Sequence, residues 1–170
     1  MKTLIYTNEF PPNIYGGAGV HVDYLTRELS KLMDVDVRCF GEQDVKEPAL
    51  TAKGYQVDNS AYTCPDKLKS VFSCLQQGLD FNTDGNDADV VHCHTWYTHM
   101  AGILSKLNYG IPLVVTAHSL EPLRPWKREQ LGGGYDCSSW VEKTAIEMAD
   151  AVVCVSAGTK ADVMQPFNVE

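Results

Sequence analysis

Short apolar runs alternate along this chain with segments whose apolar positions recur every three or four residues. Thr3–Thr7 predicts a strand. Val20–Met33 predicts a helix, with Val22, Leu25, Leu29 and Leu32 at helical spacing. Val35–Phe40 alternates apolar and polar residues and predicts a second strand. Gly41–Thr63 is polar and irregular, with a short strand expected at Tyr55–Val57. Pro65 opens a helix, as proline can at a first helical position, and Leu68, Val71, Phe72, Leu75 and Leu79 give it one apolar face. After a turn at Asn82–Asp87, Ala88–Cys93 reads as a strand and Thr98–Leu107 as a helix stopped by Asn108-Tyr109-Gly110. Pro112–Thr116 reads as a buried strand and Ser119–Tyr135 as a long loop carrying Gly132-Gly133-Gly134. Ser138 or Ser139 caps a helix running to about Ala149. Ala151–Val155 is the last strand, followed by a short helix from about Gly158.

This alternation implies an α/β fold, a Rossmann-like parallel sheet with helices on both faces. Ligands of such sheets bind at the carboxyl ends of the strands. Three polar segments follow apolar strands and so share that edge: the loop from Glu9 to His21, His94-Thr95-Trp96-Tyr97, and Thr116-Ala117-His118-Ser119. The 170 residues suit one domain with a full core, with no internal repeat. The stretch from Gln165 to Glu170 holds no closing element, as in a piece of a larger protein.

The formal net charge of −8 argues against a nucleic-acid or anionic-membrane surface. It leaves room for a local basic cluster that binds a phosphorylated small molecule. No apolar run approaches the roughly 20 residues of a membrane span. The six cysteines include no C-x-x-C pair, and three fall in apolar strand-like runs, which favours a reduced, cytoplasmic protein.

Gly16, Gly17 and Gly19 fit either a tight turn or a backbone cradle for a diphosphate at a helix N-terminus. Their spacing is neither G-x-x-x-x-G-K-[ST] nor G-x-G-x-x-G, which counts against nucleotide hydrolysis and ordinary dinucleotide binding. One of His92 and His94 is expected to point inward, and His99, a turn into the next helix, to face the same cleft as His94. Each is equally a hydrogen-bonded structural histidine. No acidic or Cys ligand lies at zinc-like spacing, so no metal is expected. His118 ends a strand at the ligand edge, where it either bonds a substrate hydroxyl or is satisfied by backbone. Arg124 and Lys127, beside Trp126, either grip an acceptor phosphate or belong to a solvated loop. Glu142 and Glu147 read as solvated helix residues.

The residues from Glu9 to His21, Asp89 to Tyr97, Thr116 to Lys127 and Ala149 to Ser156 together resemble the N-terminal half of retaining GT-B glycosyltransferases, in the glycogen synthase and α-maltose-1-phosphate synthase group. The resemblance covers essentially the whole chain. It implies glucose transfer from ADP- or UDP-glucose to an α-glucan or glucose 1-phosphate, with retention of configuration and no cofactor beyond the nucleotide-sugar substrate. It places Gly16 and Gly17 at the donor diphosphate, His118 beside the transferred sugar, and His94, Trp96 and Tyr97 along the cleft. His99 falls near an active-site histidine of the family, with two extra residues before it. Tyr15 stands where the classical K-x-G-G motif has its lysine. The family's second domain, which supplies most nucleotide contacts, has no counterpart within residues 1–170, so the chain is expected to be half an enzyme and inactive alone. The alternative reading is a non-catalytic carbohydrate- or nucleotide-binding module. An NAD-type protein lacks support, since Phe40-Gly41 stands where an acidic residue should end the second strand.

Overall fold

The computed structural model describes residues 1–167; Asn168, Val169 and Glu170, part of the closing stretch, lie outside the described residues. The elements run β1 (Lys2–Thr7), α1 (Gly17–Leu29), β2 (Asp34–Phe40), β3 (Asp44–Glu47), β4 (Leu50–Tyr55), α2 (Asp66–Thr83), β5 (Val90–His94), α3 (Trp96–Tyr109) and β6 (Leu113–Ala117). A 3₁₀ turn (Glu121–Leu123), α4 (Lys127–Leu131), α5 (Gly133–Met148), β7 (Ala151–Cys154) and α6 (Ala157–Met164) follow. The strands form one sheet in the order β3-β4-β2-β1-β5-β6-β7, parallel except for the β3–β4 hairpin.

From β1 the chain builds outward through β2 and β4, then returns to place β5 on the other side of β1. The strand order reverses between β1 and β5, and a crevice opens at the carboxyl ends there. Central β1 is buried along Thr3–Thr7, as a strand covered on both faces must be.

Alternation assigns the two faces. Ile5, Val35, Val37 and Cys39 pack with Val22 of α1. Leu4, Tyr6, Val91, Cys93, Leu113 and Val115 pack on the other face with Phe81, Ala101, Ala145 and Ile146, from α2, α3 and α5. The register Ile5↔His92 and His94↔Thr116 puts both histidines on the α1 face. Residues i and i+2 of a strand share a face, so His92 and His94 do not divide between inside and outside: His94 is fully buried and His92 half-buried on the same side.

Several elements depart from the sequence expectation. Helix α1 begins at Gly17 and ends at Leu29, because the chain must turn into β2 by Asp34; Leu32 lies beyond it and is 79% exposed. The segment read as irregular contains the β3–β4 hairpin, with Leu50 and Ala52 inward. On α2 the buried face is Val71, Cys74, Gln77, Gly78, Phe81 and Asn82, and Phe72 and Leu79 are exposed. Gly78 explains the rotation: a Cβ there would meet Ala101 N at 3.3 Å, so α3 packs tightly over the glycine. Asn82 is helical rather than in a turn, and its Nδ2 donates to Gly78 O and Ala101 O at 2.9 and 3.0 Å.

Helix α3 begins at Trp96, two residues early, after Thr95 at φ 65°. The long loop is largely helical. Gly133 and Gly134 lie inside α5, where a Cβ on Gly134 would meet Val71 Cγ2 at 2.9 Å, so this glycine serves helix packing. Ser138 therefore sits within α5, and neither it nor Ser139 is the cap. Ser156 caps α6, accepting from Thr159 N at 3.0 Å. Among the described residues no helix is long and apolar enough to cross a membrane. All six cysteines are free.

Candidate functional site

A cleft of about 430 Å³ opens at the carboxyl edge, between the loops that follow β1, β5 and β6. Gly16, Gly17 and Ala18 form one wall, Thr95, Trp96 and Tyr97 a second, and His118, Glu121 and Arg124 a third. Thr95 carries the one positive φ among the described non-glycine residues and gives its hydroxyl to Asn8 Oδ1 at 3.1 Å. A β-branched residue held there is strained, and such strain concentrates at ligand sites.

The glycine wall is the start of α1. Gly16 is extended and no side chain caps the helix. The amides of the first turn have no intrahelical partner, and the helix dipole adds positive charge at this end. The amides of Tyr15 and Gly16, by contrast, are taken: both donate to Glu9 Oε2 at 2.8 Å. Gly19 makes this possible, since a Cβ there would lie 2.6 Å from Glu9 Oε2. The N–H groups open to an anion are therefore those of Gly17 and Ala18. Nothing lies within 4 Å of a Cβ built on Gly17, so its lack of a side chain leaves room for a ligand and is not demanded by packing.

Behind His118 the other four histidines gather. His94 Nδ1 and His118 Nε2 are hydrogen-bonded at 3.1 Å. The His21 ring, from α1, lies 5.0 Å from His118 edge-on and 5.6 Å from His94. His92 lies 4.3 Å from His94 and its Nε2 bonds Thr116 Oγ1 at 2.6 Å. Burial, then the neighbouring imidazoles, holds His92 at a pKa of about 4 and His94 well below its ordinary value. Burial and His21 hold His118 at about 4, against an upward pull from Glu9. His118 is thus a neutral ring at pH 7, and its Nδ1 has no hydrogen-bond partner among the described residues. His99 is buried at the base of α3, away from the cleft lining, and burial holds it at about 3 with neither ring nitrogen bonded.

On the opposite side two carboxylates are buried. Glu121 accepts from Lys127 Nζ at 2.8 Å and from Ser138 Oγ at 2.9 Å. Glu142 Oε2 accepts from the Glu121 amide at 2.6 Å, and burial pushes its carboxyl up to about 8. Glu142 is only 2% exposed, which corrects its reading as a solvated residue; Glu147 is exposed.

The structure thus brings Gly16, Gly17, Trp96, Tyr97, His118 and Arg124 to one cleft. His94 supports His118 from behind rather than lining it. Lys127 is engaged by Glu121, whereas the Arg124 guanidinium makes no hydrogen bond or ion pair among the described residues. Trp96 stacks on Tyr97 with centroids 4.6 Å apart, and its buried Nε1 has no partner. Glu9, His21 and Glu121 were missed. Glu142 was misread, although Ser138, Glu142 and Ala145 fall on the stripe of Val141 and Ile146, a helical signal available in the sequence.

The mostly parallel α/β sheet with helices on both faces is a fold shared with GT-B glycosyltransferases. Sucrose-phosphate synthase from Thermosynechococcus elongatus superposes with a TM-score of 0.69 at 16% identity, over 98% of this chain and 45% of that one. Residues 15–170 match the family described as Glycosyltransferase Family 4, and the chain belongs to that family. It is 50% identical to the alpha-maltose-1-phosphate synthase of Mycolicibacterium smegmatis, over 98% of this chain and 41% of that protein. It is 26% identical to the glycogen synthase of Mycobacterium tuberculosis, over 99% of this chain and 45% of that protein. The chain thus spans less than half the length of these relatives.

Proposed function

We propose that this chain is the acceptor-side domain of a retaining glucosyltransferase. The complete enzyme moves glucose from ADP- or UDP-glucose to glucose 1-phosphate or an α-glucan, in the cytoplasm. One observation carries the reading: an uncapped helix N-terminus, a neutral histidine and an unpaired arginine share one cleft at the point where the strand order reverses. That combination suits a substrate with a diphosphate and a sugar.

In this reading the amides of Gly17 and Ala18 meet the donor diphosphate and stabilise the charge it gains as it leaves. His118, kept neutral and oriented by His94, hydrogen-bonds the transferred sugar while positive charge grows on its ring. Arg124 faces the phosphate of a sugar-phosphate acceptor, or a glucan hydroxyl, and the Trp96–Tyr97 pair gives the sugar an apolar wall with one indole donor. A second domain supplies the nucleotide contacts and closes the cleft against water. No cofactor takes part.

The test joins this chain to the second domain of the 50%-identical relative and supplies each donor with glucose 1-phosphate or glycogen. Expected are glucosyl transfer by the joined protein and none by residues 1–170 alone. No transfer with any donor–acceptor pair by a folded two-domain protein, or robust transfer by 1–170 alone, overturns the proposal.

A further inference from the structure

All five histidines of the chain lie at one end of the sheet, yet the proposed reaction uses the ring of His118 and the support of His94 only. One ring nitrogen each from His21, His94 and His118 fall within 4.8 Å of one another. They arrive from three elements: His21 from the first turns of α1, His94 from the end of β5, and His118 from just past β6. We infer that His21, His94 and His118 form a binding site for a divalent transition-metal ion of the zinc type.

Zinc–nitrogen bonds of about 2.0–2.1 Å place the ligand atoms of a tetrahedral site about 3.3 Å apart. His94 Nδ1 and His118 Nε2 already stand 3.1 Å apart. Only His21 must close up, and it is half-buried on the first turns of α1 with its ring already beside those of His94 and His118. Three imidazoles with an open fourth position are a set that zinc accepts. Glu9, which pulls the pKa of His118 upward, adds negative charge nearby. No metal was expected from the sequence because its ligands share no local spacing; they meet only when the sheet forms.

The inference does not depend on the proposed reaction, and its test reads binding alone. The metal-free chain is titrated with cobalt(II), and its zinc is counted after equilibrium dialysis. Expected are one equivalent of zinc and the visible bands of tetrahedral cobalt with nitrogen ligands. His21→Ala and, separately, His118→Asn should each weaken zinc by more than about 10–100-fold, the range that loss of a mere outer-shell partner costs. Circular dichroism identifies which variants remain folded, and either one suffices. Three results overturn the site: no retained zinc, thiolate-to-cobalt bands that place the ion on cysteines, or wild-type affinity in a folded variant.

Discussion

The cleft is flanked by two buried polar clusters built on opposite principles. On one side His21, His92, His94 and His118 crowd together from α1, β5 and β6, and His92, His94 and His118 are kept uncharged by burial. On the other, Glu121 and Glu142 are paired by Lys127, Ser138 and a backbone amide, all within residues 121–142. The histidine side suits a polar ligand that must not meet a fixed charge. On the carboxylate side Glu121 is paired with Lys127 and Glu142 is kept protonated by burial, in a local framework around the Arg124 segment. The contrast teaches that burial neutralises bases on one side of a cleft and an acid on the other, and the two respond oppositely to pH.

The largest effect is expected on the histidine side, in turnover. In a two-domain enzyme carrying this chain, His118→Ala should lower kcat by about 10²–10³, the usual effect of losing one transition-state contact. The melting temperature should fall only modestly, since the ring is half-buried but is the hydrogen-bond partner of buried His94. His99→Ala should affect kcat less, because His99 does not line the cleft. Abolished activity in His99→Ala beside a benign His118→Ala would reverse these roles.

On the carboxylate side the large effect is on stability. Lys127→Met leaves Glu121, 2% exposed, without its cation. Breaking a buried pair from one side costs about 3–5 kcal/mol, and the lower end applies here because Lys127 keeps some exposure. Urea unfolding measures the loss; a variant as stable as the parent would show that Ser138 alone satisfies Glu121.

pH should separate the clusters further. The folded pKa of His92 and His118 is about 4, below the unfolded 6.5, so the unfolded chain binds more protons between these values. Their contribution to stability is complete above pH 6.5 and is lost as pH falls toward 4. Glu142 has a folded pKa of about 8, above its unfolded 4.5, so the folded chain binds the extra proton. Its contribution is complete below pH 4.5 and is lost as pH rises through 8. Glu142→Gln keeps an acceptor for the Glu121 amide and should abolish only the alkaline loss. Melting temperatures from pH 4 to 9 test this; an unchanged alkaline limb in Glu142→Gln would remove Glu142 as its source.

The two sides also differ in how far they could be read from the sequence. Strands β1, β2, β5 and β6 were legible because central parallel strands leave apolar runs, and edge strand β7 because its residues Ala151–Cys154 are apolar throughout. The glycine loop and His118 were placed correctly at the sheet edge by following those runs. Helix limits failed where tertiary contacts override periodicity, as at Gly78, which turns α2 by one position. The stretch from Ser119 to Tyr135 was misread because prolines and glycines usually mark loops, whereas here Gly134 admits α5 against α2. Glu142 was legible in principle from its place on an apolar stripe. The meeting of His21 with His94 and His118 was not, because it depends on three distant elements. Glu9 was hidden likewise, since a carboxylate bound to the amides of its own loop leaves no periodic trace.

The smallest structural effect is expected at Gly17. A side chain there meets nothing within 4 Å, and valine at the first turn of a helix costs little relative to glycine. Gly17→Val should therefore leave stability within about 0.5 kcal/mol of the parent, as surface changes usually do. Two positions on, Gly19 is closed by Glu9, and Gly19→Val should destabilise the loop. The same Gly17→Val change should impair donor use in the two-domain enzyme, because the new side chain holds a diphosphate away from the amides of Gly17 and Ala18. Unfolding curves and donor kinetics on one preparation decide the matter. An unchanged donor KM and kcat in a fully folded Gly17→Val enzyme would show that the open N-terminus of α1 is not the anion site. The cleft would then bind its ligand from the His118 and Arg124 side alone.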